Sequence, residues 1–353
     1  MTYSTTTITS GSHTTTVAYG SFTNSAGSVE MYKAYSYYAY MPSLGGAVAF
    51  AILFGLTFIA LVVQIGWYCR KRKAMEREAA FKQPSDVRSL VLDKENVFES
   101  DGKGTATTIK PIEPCSNLRL VTKFIPLLIG ILAECGGYIA RIASRSDVYS
   151  LGSYVAQTVM LLVAAAFMAA TIYMNFGRLM ILLNATQVSF VPIKFSTTIF
   201  VAGDVLSILL QGAGGGILGS SDNHELGSNI IIAGLVVQVI IFGLFVITEL
   251  RFLFLADKVS RITPYISRHW KVLNINLFMC SILILVRSIV RLVEFIQGYS
   301  GYIIEHEWFI FVFDAVPMFL VTLLFVATFA KGNLFKVETE CTSLTQKQSD
   351  NGL

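Results

Sequence analysis

Phe200–Gly219, FVAGDVLSILLQGAGGGILG, is the stretch on which the reading of the fold turns. It is apolar enough to lie in a bilayer, yet Asp204 sits near its middle. Asp204, Ser207 and Gln211 fall at i, i+3 and i+7 and so share one helix face. One turn on, Gly212–Gly216 leaves the helix almost without side chains. A charge in hydrocarbon costs several kcal/mol unless it meets partners or water. This face must therefore look into a helix bundle.

The rest of the chain has the same character. Of its residues 54% are hydrophobic and 14% charged, against roughly 25% charged in soluble domains. Apolar runs of spanning length recur at 44–68, 120–142, 152–176, 195–218, 229–255, 272–296 and 308–330. The expected fold is all-α, a polytopic membrane protein of seven transmembrane helices. Residues 1–43 form a Ser/Thr-rich tail, 44–330 the membrane domain with a loop at 70–119, and 331–353 a second tail.

Lys and Arg set the orientation. Span one ends in Arg70-Lys71-Arg72-Lys73, and the 3–4 and 5–6 connections carry Arg178, Lys194, Lys258, Arg261, Arg268 and Lys271. The 4–5 loop with Asp222, His224 and Glu225 and the 6–7 loop with Glu305, His306 and Glu307 have neither. Only Arg145 departs from the pattern. By the positive-inside rule the N-terminus lies outside and the C-terminus, with loop 70–119, in the cytosol. The basic residues gather at membrane edges, so they do not indicate a nucleic-acid partner. The basic stretch after span one either orients the helix alone or also holds anionic headgroups.

The five cysteines are scattered, with no disulfide framework; Cys69, beside Arg70, is either a plain thiol or a palmitoylation site. The N-terminal segment reads as a disordered tail or an O-glycosylated exterior one, without a cleavable signal peptide. Asn184-Ala185-Thr186 is a sequon that faces the cytosol on this topology.

Ionisable residues recur at helical spacing in four spans: Glu134 and Arg141; Asp204 with Ser207 and Gln211; Arg287, Arg291 and Glu294; Glu307 and Asp314. Each set lies along one helix face, as residues lining one cavity do. At 1.5 Å per residue, Glu134 and Asp204 lie about 15–17 Å in from the cytosolic edge, near the midplane. Arg141, Arg291 and Glu294 fall near the outer surface, so the polar face runs from the bilayer centre outward. Two readings stay open. The acids and arginines either hold the bundle together or line a substrate pathway, and the excess of acids leaves some for water, a proton or a cationic ligand. The glycines likewise serve close packing or a discontinuous helix. Pro126 and Pro317 are expected to kink spans two and seven.

Several chemistries are excluded. There is no Walker A motif. The four histidines, His13, His224, His269 and His306, lie outside the membrane core and cannot supply a zinc hydrolase site there. Span seven has no lysine for a retinal Schiff base. No nucleophile–base arrangement is legible, so no enzyme, cofactor or metal is expected.

The motifs Tyr40-Met41-Pro42-Ser43, E-x-x-G-Y-x-x-R at Glu134–Arg141, D-x-x-S-x-x-x-Q-x-x-G-G-G at Asp204–Gly216, G-L-x-x-Q at Gly234–Gln238, R-x-x-x-R-x-x-E at Arg287–Glu294 and G-Y-x-x-x-H-E-W from Gly301, followed by Asp314, occur together. In these the chain resembles the fungal lipid-translocating exporter family, also called resistance-to-aminocholesterol-like, over about residues 40–330. The first cytosolic loop is longer than that family leads one to expect. The resemblance implies seven spans, a plasma-membrane or related endomembrane location, lipid handling and resistance to toxic amphiphiles, including sphingoid long-chain bases. Membrane lipids and a cationic amphiphile are then the partners, because carboxylates opening outward suit an amine headgroup. The rival class is a seven-helix receptor-like sensor of lipids or membrane stress. Asn175-Phe176-Gly177-Arg178 at the end of span three lacks the Asp-Arg-Tyr of the commonest receptors.

Overall fold

The computed structural model describes residues 2–10, 13–23, 29–34, 43–82, 117–145, 151–185, 193–220, 224–259, 269–298, 302–329 and 334–341. Each apolar run has become a helix. These are α1 (Leu44–Lys82), α3 (Ile125–Ser144), α4 (Leu151–Leu182), α5 (Ile193–Ser220), α6 (His224–Val259) and α7 (His269–Gln297). The last run is α9 (Trp308–Ile310), a π turn (Phe311–Ala315) and α10 (Val316–Phe329). Short helices α2 (Asn117–Thr122) and α8 (Tyr302–Glu305) precede α3 and α9. A final helix, α11, covers 334–341.

Among the described residues, six helices are long and apolar enough to cross a membrane: those holding Leu44–Ala74, Gly152–Leu182, Thr197–Ile217, Glu225–Ala256, His269–Gln297 and Trp308–Phe329. The protein is a multi-pass membrane protein. The 20-residue α3 is packed between α1 and α4. Most of loop 70–119, Cys115 and the end of the Asn184 sequon lie outside the described residues.

Neighbouring helices form a closed ring in the order α1, α3, α4, α5, α6, α7, α10 and back to α1, and α4 also touches α7 across it. Phe54, Leu61, Leu127, Ile131, Met168, Tyr173, Phe245, Leu277 and Val321 fill its interior. Its outer surface carries Ile52, Leu56, Ile59, Leu209, Ile240, Leu244 and Phe254. Apolar residues on both sides of a helix are the pattern of a bundle solvated by lipid.

The all-α expectation describes the membrane domain. The N-terminal segment, expected as a tail, differs: β1 (Thr2–Ser10), β2 (His13–Thr23) and β3 (Val29–Ala34) form an antiparallel sheet in the order β1-β2-β3. Thr2 pairs with Ser21, Ser10 with His13, and Ala18 with Ala34. Runs of threonine are β-branched and favour extended backbone, and only Gly-Ser separates the paired Ser10 and His13.

Two expectations about prolines and glycines change. Pro126 lies in the first turn of α3, where its missing N–H is harmless, so it starts the helix instead of kinking it. Pro317 cannot donate back to Phe313, which leaves a gap in the hydrogen-bond ladder beside the π turn. α5 runs unbroken through Gly212–Gly216. There the close packing belongs to Gly214, whose Cβ would fall 2.7 Å from the Gly227 carbonyl oxygen, while Gly212 and Gly216 face open space.

Candidate functional site

Arg287, Arg291 and Glu294 lie on one face of α7. Arg287, 1% exposed, pairs with Asp314 and donates to the Leu161 carbonyl at 3.0 Å. Arg291 reaches the other oxygen of Asp314 at 2.8 Å and Glu294 at 3.2 Å. Asp314 thus joins two arginines from within the π turn. Such wide turns are frequent at functional sites because they redirect single side chains.

One layer nearer the start of α1, Arg141 of α3 pairs with Glu307 at 2.6 Å, and Glu307 also accepts the Ser43 backbone N–H at 2.7 Å. The Arg141 guanidinium lies 5.5 Å from the centre of the Phe311 ring. Phe311 fits there because Gly46 has no side chain, since a Cβ would fall 2.5 Å from its ring. Three chain segments far apart in sequence are thereby tied at one end of the bundle.

Glu134 lies two turns deeper on α3. It is buried, and neither of its oxygens accepts a hydrogen bond among the described residues. The charged groups acting on it are Arg287, Asp314 and Arg291. The hydroxyl of Tyr138, beside the same three charges, is also without a bond, and its ring stacks on Phe50 and Phe54 at 5.6 and 5.9 Å. At the other extreme the side chains of Glu294 and Glu307 are 23% and 21% exposed. Seven of the ten expected residues therefore lie in two successive ionic layers, Glu134, Arg287, Arg291, Glu294 and Asp314 in one and Arg141 with Glu307 in the other, with exposure rising towards Glu294 and Glu307.

Asp204, Ser207 and Gln211 form a second group. Asp204 accepts a 2.9 Å hydrogen bond from the Tyr173 hydroxyl of α4, and among the described residues no arginine pairs with it. Ser207 donates to the Gly234 carbonyl at 2.8 Å, and Gln211 Nε2 meets Ser207 Oγ at 2.6 Å and Gln238 Oε1 at 3.2 Å. Gly234 makes this possible by letting α6 approach so closely that a Cβ would touch the Ser207 carbonyl at 3.0 Å. The single cavity expected for all ten residues is thus divided into the two acid–arginine layers and a polar seam between α5 and α6.

Glu249 of α6 was not among the expected residues. It is fully buried beside Ser281 and Cys280 of α7. Its signal was available: an acid inside an apolar run, ten residues before the Val259 end of α6. Tyr138 is the tyrosine of the E-x-x-G-Y-x-x-R motif, whereas Tyr173 stands in no motif or spacing that marks it. A further ionic tie closes the opposite end. Arg178 of α4 holds Glu338 of α11 through two bonds, 3.0 and 2.5 Å, and His269 meets Glu340 at 2.8 Å.

Among the described residues no cluster of His, Cys, Asp and Glu is suited to hold a metal. Together the fold and these ionic layers define a membrane protein of the helical-bundle type with a charged interior. Residues 127–338 match the family described as RTA1 like protein, and the chain belongs to that family. Protein RTM1 of Saccharomyces cerevisiae is 42% identical over 307 residues, 87% of this chain and 96% of its own. Protoporphyrin uptake protein 1 of Saccharomyces cerevisiae is 41% identical over 309 residues, 87% of this chain and 96% of its own. A more distant relative, the sphingoid long-chain base transporter RSB1 of Saccharomyces cerevisiae (strain YJM789), is 26% identical over 266 residues, 63% of this chain and 67% of its own. None of these names denotes an enzyme. No solved structure matches the chain.

Proposed function

We propose that this protein translocates single-chain cationic amphiphiles, of the sphingoid-base type, across the fungal plasma membrane, with seven spans, the N-terminus outside and the C-terminus in the cytosol. The observation that carries the reading is Glu134. It is a buried acid without a hydrogen bond, at the inner end of two ionic layers in which exposure rises towards Glu294 and Glu307. In those layers four acids, Glu134, Glu294, Glu307 and Asp314, stand against three arginines, Arg141, Arg287 and Arg291. An ammonium headgroup supplies the missing positive charge and is handed along the acids while its chain stays in lipid. Arginine-lined grooves without that excess would suit a phosphate instead.

The name of the more distant relative supports the substrate class, and the Lys/Arg asymmetry of the loops supports the orientation. The protein in liposomes containing a fluorescent sphingoid base should move it between leaflets, and Glu134→Gln should abolish that movement without loss of the folded protein. Normal movement by the Gln variant removes Glu134 from the path. No movement by the unaltered protein rejects the translocator reading.

A further inference from the structure

The bundle holds two further buried acids, Asp204 and Glu249, that the substrate path does not use. Phe200, Phe242, Phe245 and Tyr173 form a layer of rings where α4, α5 and α6 meet, with Tyr173 4.5 Å from Phe245 and Phe200 5.2 Å from Phe245. Asp204 follows Phe200 by one turn of α5, and Glu249 follows Phe245 by one turn of α6. These helices are antiparallel neighbours: Phe200 meets Phe245, Gly203 lies against Ile241 and Gly214 against Ile231, so one number falls as the other rises. The two acids therefore lie on opposite sides of the ring layer, about 12 Å apart along the bundle axis.

Both are buried, Glu249 with no exposed surface; among the described residues Asp204 Oδ1 accepts no hydrogen bond, and the polar neighbour of the Glu249 carboxyl group is the Ser281 hydroxyl. The titratable groups facing the pair are Tyr173 from α4 and Cys280 from α7, besides the acids themselves. Among the described residues no arginine, lysine or histidine acts on either carboxyl group. This sets them apart from Asp314, which has two arginines. Burying a carboxylate without a cation is expensive, and binding a proton removes the cost. A metal ion would need more oxygen donors than two acids separated by a ring layer supply.

We propose that Asp204 and Glu249 are a proton-binding pair, one on each side of an aromatic septum, through which an inward proton gradient drives the amphiphile outward. A proton from water at the Leu44 end forms the O–H of Asp204, and a proton leaves the O–H of Glu249 to water at the opposite end; the proton on Asp204 then passes to the vacated Glu249 carboxylate, which restores both groups. The Tyr173 hydroxyl, bonded to Asp204 at 2.9 Å, stands between them. No electron moves and no covalent intermediate forms. The coupling rests on the translocator reading, whereas proton binding by the pair does not.

The test has two arms. In the first, infrared difference spectra of the purified full chain in lipid are recorded as pH is changed. Carboxylic-acid carbonyl bands that shift in deuterated water should be present, one missing in Asp204→Asn and another in Glu249→Gln. Spectra of the unaltered protein without such bands would overturn the proposal, whatever the variants do. In the second arm, liposomes loaded with a fluorescent sphingoid base are given a proton gradient, a sodium gradient or none. Acceleration by the proton gradient alone, lost in both variants, is the expected result. Equal rates under all three conditions, or acceleration by sodium, would overturn the coupling while leaving the translocator reading intact. Absence of any movement would overturn both the coupling and that reading, and the infrared arm would still decide whether the pair binds protons.

Discussion

Arg291 and Asp314, 23 positions apart, meet at 2.8 Å across the α7–π-turn contact, and the same aspartate pairs with Arg287. Removing one member of so buried a set leaves the others without compensation. Asp314→Ala should lower the unfolding free energy by about 3–5 kcal/mol. Arg287→Ala should cost a similar amount, and the double variant less than the sum of the two. Thermal unfolding in detergent measures all three; strictly additive losses would mean that the pair is not coupled.

Gly214 should be the sensitive glycine of its run. Gly214→Val places a branched side chain where even a Cβ would be 2.7 Å from both the Gly227 oxygen and Ile231, so α5 and α6 must part. The expected loss is about 1–3 kcal/mol. Gly212→Ala and Gly215→Ala meet open space and should stay within about 0.5 kcal/mol of the parent. The same heat scan checks all of them.

At the opposite end, Glu338 is fully buried against Arg178. Glu338→Ala should release α11, costing about 3 kcal/mol and exposing the neighbouring Cys341 to a maleimide reagent. In the unaltered protein Cys341 should react only after denaturation.

Burial, with the Glu338 and Glu340 carboxylates, raises the Cys341 thiol from about 9 to about 12. The folded form therefore holds this proton more tightly than the unfolded chain. Its contribution is complete below pH 9 and is lost as pH rises towards about 12. Cys341→Ser should flatten that part of the stability-against-pH curve.

The proposed topology has a direct check. Protease applied to intact cells should remove a tag placed before Tyr3 and spare one after Leu353. The reverse result would turn the Glu294–Glu307 end of the ionic layers towards the cytosol.

Hydropathy marked the positions of all the long helices, and period alone put Glu134, Asp204, Arg287 and Asp314 on inward faces. Their partners were not legible. Periodicity gives the azimuth of a side chain on its own helix, but says nothing of how one helix is rotated against the next. Asp204 thus shares a face with Ser207 and Gln211 as expected, yet it meets Tyr173 instead of an arginine. The spacing of Glu307 and Asp314 at i and i+7 presumed 3.6 residues per turn throughout, which the π turn breaks. Glu249 escaped notice because no other ionisable residue of α6 falls three, four or seven positions from it; Arg251, two positions on, lies off its face. The β-strands escaped because threonine was read for its polarity instead of its branching.

The π turn holds one residue more than an α-helical turn of the same height. Were it to tighten into a regular helix, everything before it would rotate by about 100° relative to everything after it. Glu307 and Phe311 would swing away from Arg141 and Gly46, while α10 kept its place against α7. This segment would thus act as a vernier between two ionic layers: a slip of one residue, with no helix unwound, would part Arg141 from Glu307.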